Sequence, residues 1–370
     1  MTLRVGIGAM PYTAAGVELV REAERLGVDS VWVPEFWAGD ALTPLAFLAA
    51  RTSTIRLAAG IVQLGARTPA MLAMSALSLQ ALSGGRFVLG VGTSGPQVME
   101  GWHGVRFDRP VRRTRETIEI IRTICAGERL VHDGEVYQLP LPDSEGRAIR
   151  SAMPPEHVPI FVASLGPANL RLTGELADGW IGNSFFPESA SVFFDPIREG
   201  AAAGGRALGD LDLTVSVGVE FTDDVDAAAR RHADGYAFTF GAMGSPTTNF
   251  YSDAFARQGF GDDVRAVQQL WLAGDREAAR RRVPTAIGFG TNLLGAPDMI
   301  RDRLRRYRDA GVTTLRAQLQ GDPATQLQRQ LDDLGRLLDL VAEVNSEPPS
   351  PASVDHGRAE SSSPLGEDHQ

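Results

Sequence analysis

The stretch TIRLAAGIVQLGARTPAMLAMSALSLQALSGGRFVLGVG (54–92) holds two short apolar segments on either side of a helical pattern. Residues 54–62 and 86–92 are almost continuously apolar, which is typical of strands buried on both faces. Between them, Pro69 suits the first turn of a helix and Gly84 suits its end. The stretch therefore predicts a strand–helix–strand unit.

The same alternation continues in both directions along the chain. Further strands are predicted at residues 3–10, 29–35, 158–164, 178–185 and 312–319. Further helices are predicted at residues 14–26, 42–50, 109–127, 167–177, 296–310 and 325–344. Apolar strands that alternate with helices indicate a parallel sheet covered by helices, and 370 residues suffice for one TIM-type (β/α)8 barrel.

One region interrupts the alternation. We interpret residues 186–284 as a mainly helical insertion between later strands, with a strand-like segment at 213–221, and AIGFGT (286–291) as the return to the barrel. Residues 1–345 then form a single barrel domain. Residues 346–370 are rich in Pro, Ser and acidic residues and hold too few large apolar side chains to offset the entropy of ordering, so we expect a disordered tail.

An open doubly wound sheet is the alternative fold for such a pattern. That fold usually carries a glycine-rich phosphate-binding turn after its first strand. Here the first strand ends in GIGAMPY (6–12), whose Pro and Tyr do not suit a tight phosphate turn. The sequence therefore favours the closed barrel and disfavours a nicotinamide site of that type.

The composition narrows the possible partners and mechanisms. The formal net charge is -10, so neither nucleic acid nor an anionic membrane surface is an expected partner. The chain has no lysine, which excludes Schiff-base chemistry. Cys125 is the only cysteine, which excludes an internal disulfide, and its apolar helical surroundings predict a small buried side chain. No set of residues has the spacing of metal ligands.

The amino-terminal sequence MTLRVGIGAM lacks the charged and long apolar regions of a signal peptide. No apolar run reaches the roughly 18 residues that a bilayer-spanning helix needs. We therefore expect a cytoplasmic protein.

The carboxyl ends of the strands are the place to look for chemistry, because barrel enzymes build their active sites there. Glu35 follows the second strand between Phe36 and Trp37, and it is either a proton-handling or cofactor-binding group or an exposed loop carboxylate. His103 follows the fourth strand, and it is either an acid or base or a loop histidine that packs against Trp102.

Small residues follow the third and fourth strands. Gly60 interrupts a strong strand, which marks a bulge, a close approach of backbone to a ligand, or tight packing between barrel layers. GVGTSGPQ (90–97) places Gly92, Thr93 and Ser94 at the top of the fourth strand, where backbone N–H groups and hydroxyls can bind a ring edge or a phosphate.

Small residues also follow the fifth strand. ASLGPAN (163–169) leads directly into a helix, and a helix amino terminus with free N–H groups favours an anion. Asn183 and Ser184 after the sixth strand add further donors. The two loops together predict a phosphate site late in the barrel.

The block LAAGIVQLGARTPAMLAMSALSLQALSGGRFVLGVGTSGPQVMEGWHGVRFDRPVRRTRE (57–116) resembles the bacterial luciferase-like monooxygenase superfamily. It most resembles the actinobacterial branch of coenzyme F420-dependent oxidoreductases. WVPEFWAGDALTPLAFLA (32–49), VPIFVASLGPANLRLTGELADGWI (158–181) and GAMGSPTTNFYSDAFARQGF (241–260) support the resemblance, which spans residues 3–320. The superfamily uses both FMN and F420.

The resemblance implies a (β/α)8 barrel with a deazaflavin at its mouth and a non-prolyl cis peptide at Gly60–Ile61, whose bulge backs the ring. The implied cofactor site comprises Gly60, Ile61, Gly92, Thr93, Ser94, Ala163, Ser164, Leu165, Gly166 and Asn183. The apolar candidates for the substrate pocket are Phe36, Trp37, Trp102, Phe185 and Phe250. The resemblance also implies a homodimer.

The sequence departs from the sugar-phosphate dehydrogenases of this superfamily. Those members carry an Asp-His pair after the second strand, where this chain has Glu35-Phe36, and a Glu where it has Gly95. Their catalytic roles therefore do not carry over, and Glu35 or His103 would have to supply any proton.

The resemblance implies an F420-dependent oxidoreductase that transfers hydride between the deazaflavin and a small, apolar organic substrate. An FMN-dependent two-component monooxygenase, which would need a separate cofactor reductase, is the alternative enzyme. A non-catalytic flavin- or F420-binding protein is the alternative outside enzymes.

Overall fold

The computed structural model describes residues 2–243 and 249–348 of the chain. The expected disordered tail lies outside the described residues from position 349 onward. The strands are β1 (Arg4–Gly8), β2 (Ser30–Val33), β3 (Arg56–Ala59), β4 (Val62–Gln63), β5 (Phe87–Gly92), β6 (His132–Asp133), β7 (Gln138–Leu139), β8 (Ile160–Ala163), β9 (Gly179–Gly182), β10 (Asp212–Phe221), β11 (Leu293–Gly295) and β12 (Thr314–Leu319).

The described residues also form α-helices, many of which lie between successive strands. They are α1 (Ala14–Arg25), α2 (Leu42–Ala49), α3 (Pro69–Ser83), α4 (Pro96–Gly101), α5 (Pro110–Cys125), α6 (Pro167–Leu176), α7 (Ser191–Ala203), α8 (Val225–Asp234), α9 (Tyr236–Ala242), α10 (Phe250–Phe255), α11 (Gly261–Leu272), α12 (Arg276–Arg282), α13 (Thr285–Gly290), α14 (Pro297–Ala310) and α15 (Pro323–Ser346). None of these helices is both long enough and apolar enough to cross a bilayer.

Within the described residues, eight parallel strands close into a barrel in the order β1-β2-β3-β5-β8-β9-β10-β12. The closure is made by β12, which pairs with β1 so that Val5 lies opposite Leu315. Two short strands extend the sheet, because β4 pairs with β5 and β11 pairs with the end of β10. The predicted barrel is therefore confirmed.

Apolar side chains fill both sides of the barrel wall. The main core lies between the strands and the surrounding helices, and it includes Cys125, which is buried as expected. Burial raises the pKa of the Cys125 thiol to about 11, so it stays an uncharged side chain at neutral pH. A separate cluster of Trp32, Ala58, Val88, Phe161 and Ile181 fills the middle of the barrel and forms a floor under its carboxyl-terminal mouth.

An ion-pair cluster closes the opposite, amino-terminal end of the barrel. Asp212 at the start of β10 pairs with Arg4 at 2.5 Å and with Arg56 at 3.3 Å. Burial alone would raise the pKa of Asp212, but the two arginines and the hydroxyl of Thr313 outweigh burial and hold the pKa below its ordinary value.

The predicted limits of the insertion are wrong. The segment at 213–221, which we assigned to the insertion, is β10, the seventh barrel strand, and it pairs with both β9 and β12. The helical insertion is shorter, because it runs from α8 to α13 between β10 and β11. The periodicity identified the strand correctly but could not show which strands it pairs with.

The predicted return to the barrel at 286–291 is also wrong. This segment is largely the helix α13, and the chain rejoins the sheet two residues later at β11. Gly288 explains the misleading pattern, because a Cβ there would lie 2.0 Å from the carbonyl oxygen of Ala229 in α8. The glycine allows two helices to pack closely and does not mark a strand.

Candidate active site

A cavity of about 640 Å³ opens at the carboxyl-terminal mouth of the barrel. Its walls are the loops after β2, β5, β8 and β9, the segment between β3 and β4, and the helices α9 and α10 of the insertion. The predicted residues that line it are Glu35, Phe36, Trp37, Gly60, Ile61, Gly92, Thr93, Ser94, Ala163, Ser164, Leu165, Gly166, Asn183 and Phe250. Residues far apart in the sequence thus meet in one cavity.

Three predicted site residues are not part of this lining. Trp102 is 65% exposed at the end of α4, outside the cavity. Phe185 is buried among Trp180, Phe193 and Tyr307, where it stabilises the barrel-to-helix packing. Neither of these two side chains therefore lines the cavity. The third residue, His103, lies behind the cavity wall.

The predicted non-prolyl cis peptide is present between Gly60 and Ile61. It separates β3 from β4 and forms part of the cavity wall. Two glycines of β5 make room for this bulge. A Cβ on Gly90 would lie 1.9 Å from the carbonyl oxygen of Ala59, and a Cβ on Gly92 would lie 3.0 Å from Cδ1 of Ile61.

Glu35 lines the cavity, but its carboxylate is fully engaged by the protein. Both of its oxygens pair with the guanidinium of Arg67 at 2.7 Å. The backbone N–H of Gln63 donates to Oε1 at 3.0 Å, and that of Ala41 donates to Oε2 at 3.4 Å. This geometry anchors the loop after β2 to β4 and leaves the carboxylate poorly placed to exchange a proton with a ligand.

His103 contacts Gln63, a residue that lines the cavity. Its Nε2 lies 2.6 Å from Oε1 of Gln63, and the Gln63 amide nitrogen donates to the carbonyl oxygen of Glu35 at 3.3 Å. The side chain of Gln63 is thereby held at both ends while it lines the cavity. His103 thus orients a cavity residue and does not itself reach the cavity.

The loop after β8 presents the amino terminus of α6 to the cavity. The hydroxyl of Ser164 bonds to that of Thr173 at 2.8 Å, and the indole of Trp180 donates to the Ser164 carbonyl oxygen at 2.9 Å, so the loop is held from below. The first N–H groups of α6 have no acceptor within the helix and favour an anion.

Two further groups strengthen this anion site. The guanidinium of Arg257 donates to the carbonyl oxygen of Leu165 and brings a positive charge beside the loop. Asn169 also lines the cavity, and its buried Oδ1 has no hydrogen-bond partner among the described residues. Its amide nitrogen supplies one more donor at the same place.

The sequence analysis missed the charged residue at the centre of the barrel, Arg316. It lies on β12 with 7% of its surface exposed, and its Nη2 donates to Oδ1 of Asn183 at 3.0 Å. A Cβ on Gly60 would lie 3.0 Å from its Nη1, so the guanidinium lies directly behind the bulge. A charged residue inside the apolar strand VTTLRAQL was the signal that could have revealed it.

A second cavity of about 350 Å³ adjoins the first at Asn183 and Tyr251, which line both. Hydrogen-bonding side chains from β10, β12 and the insertion form most of its walls. One of them is His232, whose Nε2 lies 3.2 Å from Oε2 of Glu220. Burial lowers the pKa of His232, although Glu220 opposes this effect.

Sequence reasoning missed this second cavity because it lies partly on β10, which we had placed in the insertion. Two non-glycine residues in the left-handed backbone region, Ser94 and Ser184, lie in the loops that border the two cavities. Such conformations often occur at functional sites. Among the described residues, no group of three or more His, Cys, Asp or Glu side chains is arranged to hold a metal ion.

Comparison with known proteins shows which family the chain belongs to. The family model described as luciferase-like monooxygenase matches residues 2–314. A protein of Mycobacterium tuberculosis, provisionally named a coenzyme F420-dependent oxidoreductase, is 37% identical over 307 residues, which cover 80% of this chain and 88% of that protein.

Solved structures share the fold. The coenzyme F420-dependent tetrahydromethanopterin reductase from Methanopyrus kandleri has a TM-score of 0.72 at 22% identity, with 90% of this chain and 98% of that chain covered. An FMN complex of the oxygenating component of 3,6-diketocamphane monooxygenase from Pseudomonas putida has a TM-score of 0.65 at 20% identity, with 92% and 98% covered. At these identities the similarity establishes the barrel architecture.

Proposed function

Because the chain belongs to the luciferase-like monooxygenase family, we propose that it is a coenzyme F420-dependent oxidoreductase that transfers hydride between the deazaflavin and a small, apolar organic substrate. The observation that carries this proposal is the cavity of about 640 Å³ at the barrel mouth. It joins an anion site at α6 to apolar walls on either side of the Gly60–Ile61 bulge. A redox cofactor with a planar ring and a phosphate group matches this cavity, because the phosphate suits the anion site and the ring suits the apolar walls.

The residues of the cavity fit such a cofactor. A volume of about 640 Å³ lies within the range of ordinary cofactor and ligand pockets. The N–H groups of α6, with Arg257 and Asn169 beside them, would hold the phosphate. Gly60, Ile61 and the loop after Gly92 would line the ring. When bound, the deazaflavin supplies a ring carbon that accepts or releases hydride.

Aromatic and aliphatic side chains form the part of the cavity that remains for a substrate. Phe36 and Trp37 pack edge to face after β2, with ring centroids 5.8 Å apart. Phe238, Met243 and Phe250 line the cavity from the insertion. These apolar walls favour an apolar substrate of modest size.

We assign the proton-handling role to Tyr251 in place of Glu35 and His103. Tyr251 lines both cavities, whereas the Glu35 carboxylate is held by Arg67 and His103 does not reach the cavity. Burial raises the pKa of Tyr251, although Arg316 opposes this effect, so the hydroxyl stays protonated at neutral pH. It can then donate a hydrogen bond to a substrate oxygen as hydride is transferred.

Anaerobic turnover tests this proposal. Purified protein is mixed with F420 and a panel of small alcohols, and with reduced F420 and a panel of small ketones and enones, while the visible absorbance of F420 is followed. We expect F420-linked turnover of at least one class without oxygen. Turnover that needs FMN, a reductase and oxygen would support the two-component monooxygenase instead, and tight F420 binding without any turnover would support the non-catalytic alternative.

The same assay tests Tyr251. Tyr251→Phe should lower the turnover rate about 100-fold with little change in KM, because one proton donor is lost. Tyr12→Phe is the matched control, since Tyr12 is exposed and its hydroxyl donates to the carbonyl oxygen of Asp40. Equal rates for the two variants would remove Tyr251 from the mechanism.

We also propose that the protein forms a homodimer through α2 and α3. The fifteen residues of α3 include no charged side chain, and Met71, Met74 and Leu82 are exposed on its outer face. Phe47 of α2 is exposed beside them. Exposed apolar side chains that cluster on one surface often mark an interface, and a second copy of the chain would cover this one.

A further inference from the structure

Arg316 is a buried cation without an anionic partner. Its one hydrogen bond within the protein goes to the uncharged amide of Asn183, and its buried Nε has no acceptor among the described residues. Tyr251 is the only ionisable group of the described chain that acts on it. Burial lowers the pKa of Arg316 to about 10, so the guanidinium remains charged at neutral pH.

The other deeply buried arginines of the described residues have carboxylate partners. Arg303 pairs with Glu188, and Arg308 pairs with Asp309 at 2.9 Å. Removing a cation from water without a counter-charge is costly, and proteins ordinarily avoid it. The exception at Arg316 therefore indicates that a negative charge belongs nearby when the site is loaded.

The position of Arg316 restricts where that charge can be. Gly60 has no side chain to shield the cavity from Nη1, and Asn183, which accepts the hydrogen bond of Nη2, also lines the cavity. The phosphate has its own site at α6, where Arg257 supplies a separate positive charge. Arg316 does not itself line the cavity, so it would act on a charge in the ring part from behind the Gly60–Ile61 wall.

We propose that Arg316 stabilises negative charge on the cofactor ring, an inference that rests on the proposed F420 function. The hydroxyl of the deazaflavin is conjugated through the ring to the carbonyls of its pyrimidine part, so it ionises readily and its charge spreads over the ring. A buried guanidinium beside the ring favours this ionised form over the neutral one. In addition, a hydride brings two electrons and one proton, so its transfer from the substrate adds one negative charge to the ring, which the same group stabilises.

The ionisation of bound F420 tests the proposal without any measurement of turnover. The visible absorbance of F420 changes when its ring hydroxyl loses a proton, so the absorbance of bound F420 is titrated against pH. In the wild-type protein the midpoint should lie below that of free F420. In Arg316→Met it should rise by about one pH unit, a tenfold change in the ionisation constant. Arg316→Lys should restore most of the shift because it keeps the charge.

Two further variants make the result decisive. Arg316→Gln replaces the charge with a smaller polar group, and it gives the same reading if the methionine variant does not fold. Arg86→Met is the control. It removes a partly buried arginine whose guanidinium donates to the backbone carbonyl oxygens of Thr52 and Ile55, and it should leave the midpoint unchanged. An unchanged midpoint in both neutral Arg316 variants would overturn the proposal and leave the function intact. Failure of the wild-type protein to bind F420 would overturn the function and this inference with it.

Discussion

Replacing Gly90 with alanine tests how β5 accommodates the bulge between β3 and β4. The new Cβ would lie 1.9 Å from the carbonyl oxygen of Ala59 and 2.9 Å from Cδ1 of Ile181. Carbon–oxygen contacts below 3.0 Å are not tolerated, so the two strands would have to separate by about 1.1 Å, the difference between 3.0 Å and 1.9 Å. The oxygen belongs to the backbone and cannot rotate away.

The expected cost follows from this displacement. Overpacking inside a dense core costs about 1–3 kcal/mol, and a backbone contact belongs near the upper end of that range. Alanine recovers about 0.4–1 kcal/mol because it lowers the entropy of the unfolded chain. We therefore expect Gly90→Ala to lower the free energy of unfolding by about 2 kcal/mol. It should also weaken F420 binding, because the displaced segment includes the Gly60–Ile61 wall of the cavity.

Denaturant unfolding of the protein and equilibrium binding of F420 measure the two effects. Gly101→Ala is the matched control, because a Cβ at Gly101 meets nothing within 4 Å, and we expect a change within about 0.5 kcal/mol. A Gly90→Ala protein with the unfolding midpoint and F420 affinity of the wild type would refute the packing argument.

Three other substitutions test separate parts of the structure. Asp212→Asn should lower the free energy of unfolding by about 3 kcal/mol at pH 7, since Arg4 and Arg56 lose the buried carboxylate that they share and keep only Asp29 as a charged partner. The folded-state pKa of Asp212 is lowered, so its ionised carboxylate contributes fully to stability above the unfolded-state pKa of about 3.9. This stabilisation is lost as the pH falls from there through the folded-state pKa. The free energies of unfolding of wild type and variant should therefore converge below about pH 4 in acid-unfolding measurements. Glu35→Gln should cost about 2 kcal/mol in the same unfolding assay through the lost pair with Arg67, and unchanged stability would contradict an anchoring role. Met74→Glu should give a monomer in sedimentation experiments while Met299→Glu on α14 stays dimeric, and a dimeric Met74→Glu protein would place the interface elsewhere.

The barrel itself was predictable because its signals are local. The barrel strands are short apolar runs, and most helices have a capping side chain or a glycine at one end, so the alternation was visible without knowledge of long-range contacts. The seventh strand shows the limit of this reasoning. Its sequence reads as a strand, but only the register of Val215 opposite both Leu315 and Gly182 shows that it belongs to the barrel wall.

The site was predictable where position along a strand determines position in space. Residues at the ends of β2, β5 and β8 meet because parallel strands end on the same side of a barrel. Side-chain direction in the loops was not predictable in this way. His103 turns toward Gln63, Trp102 turns outward, and Phe185 turns into the aromatic core, although all three follow strand ends.

Arg316 required the structure for another reason. A charged side chain in a buried strand is visible in the sequence, but whether a carboxylate neutralises it depends on distant residues. Arg56 also lies in a barrel strand, and it pairs with Asp29 and Asp212. Only the complete packing distinguishes a paired arginine from one that lies behind a cavity wall without a carboxylate partner.

The central claim is that the cavity at the barrel mouth binds a deazaflavin. Equilibrium titrations of the purified protein with F420 and with FMN, under identical conditions and with absorbance and fluorescence as readouts, test it most directly. We predict that F420 binds at least about tenfold more tightly than FMN, a difference of roughly 1.4 kcal/mol. Tighter binding of FMN, or no saturable binding of F420, would contradict the account.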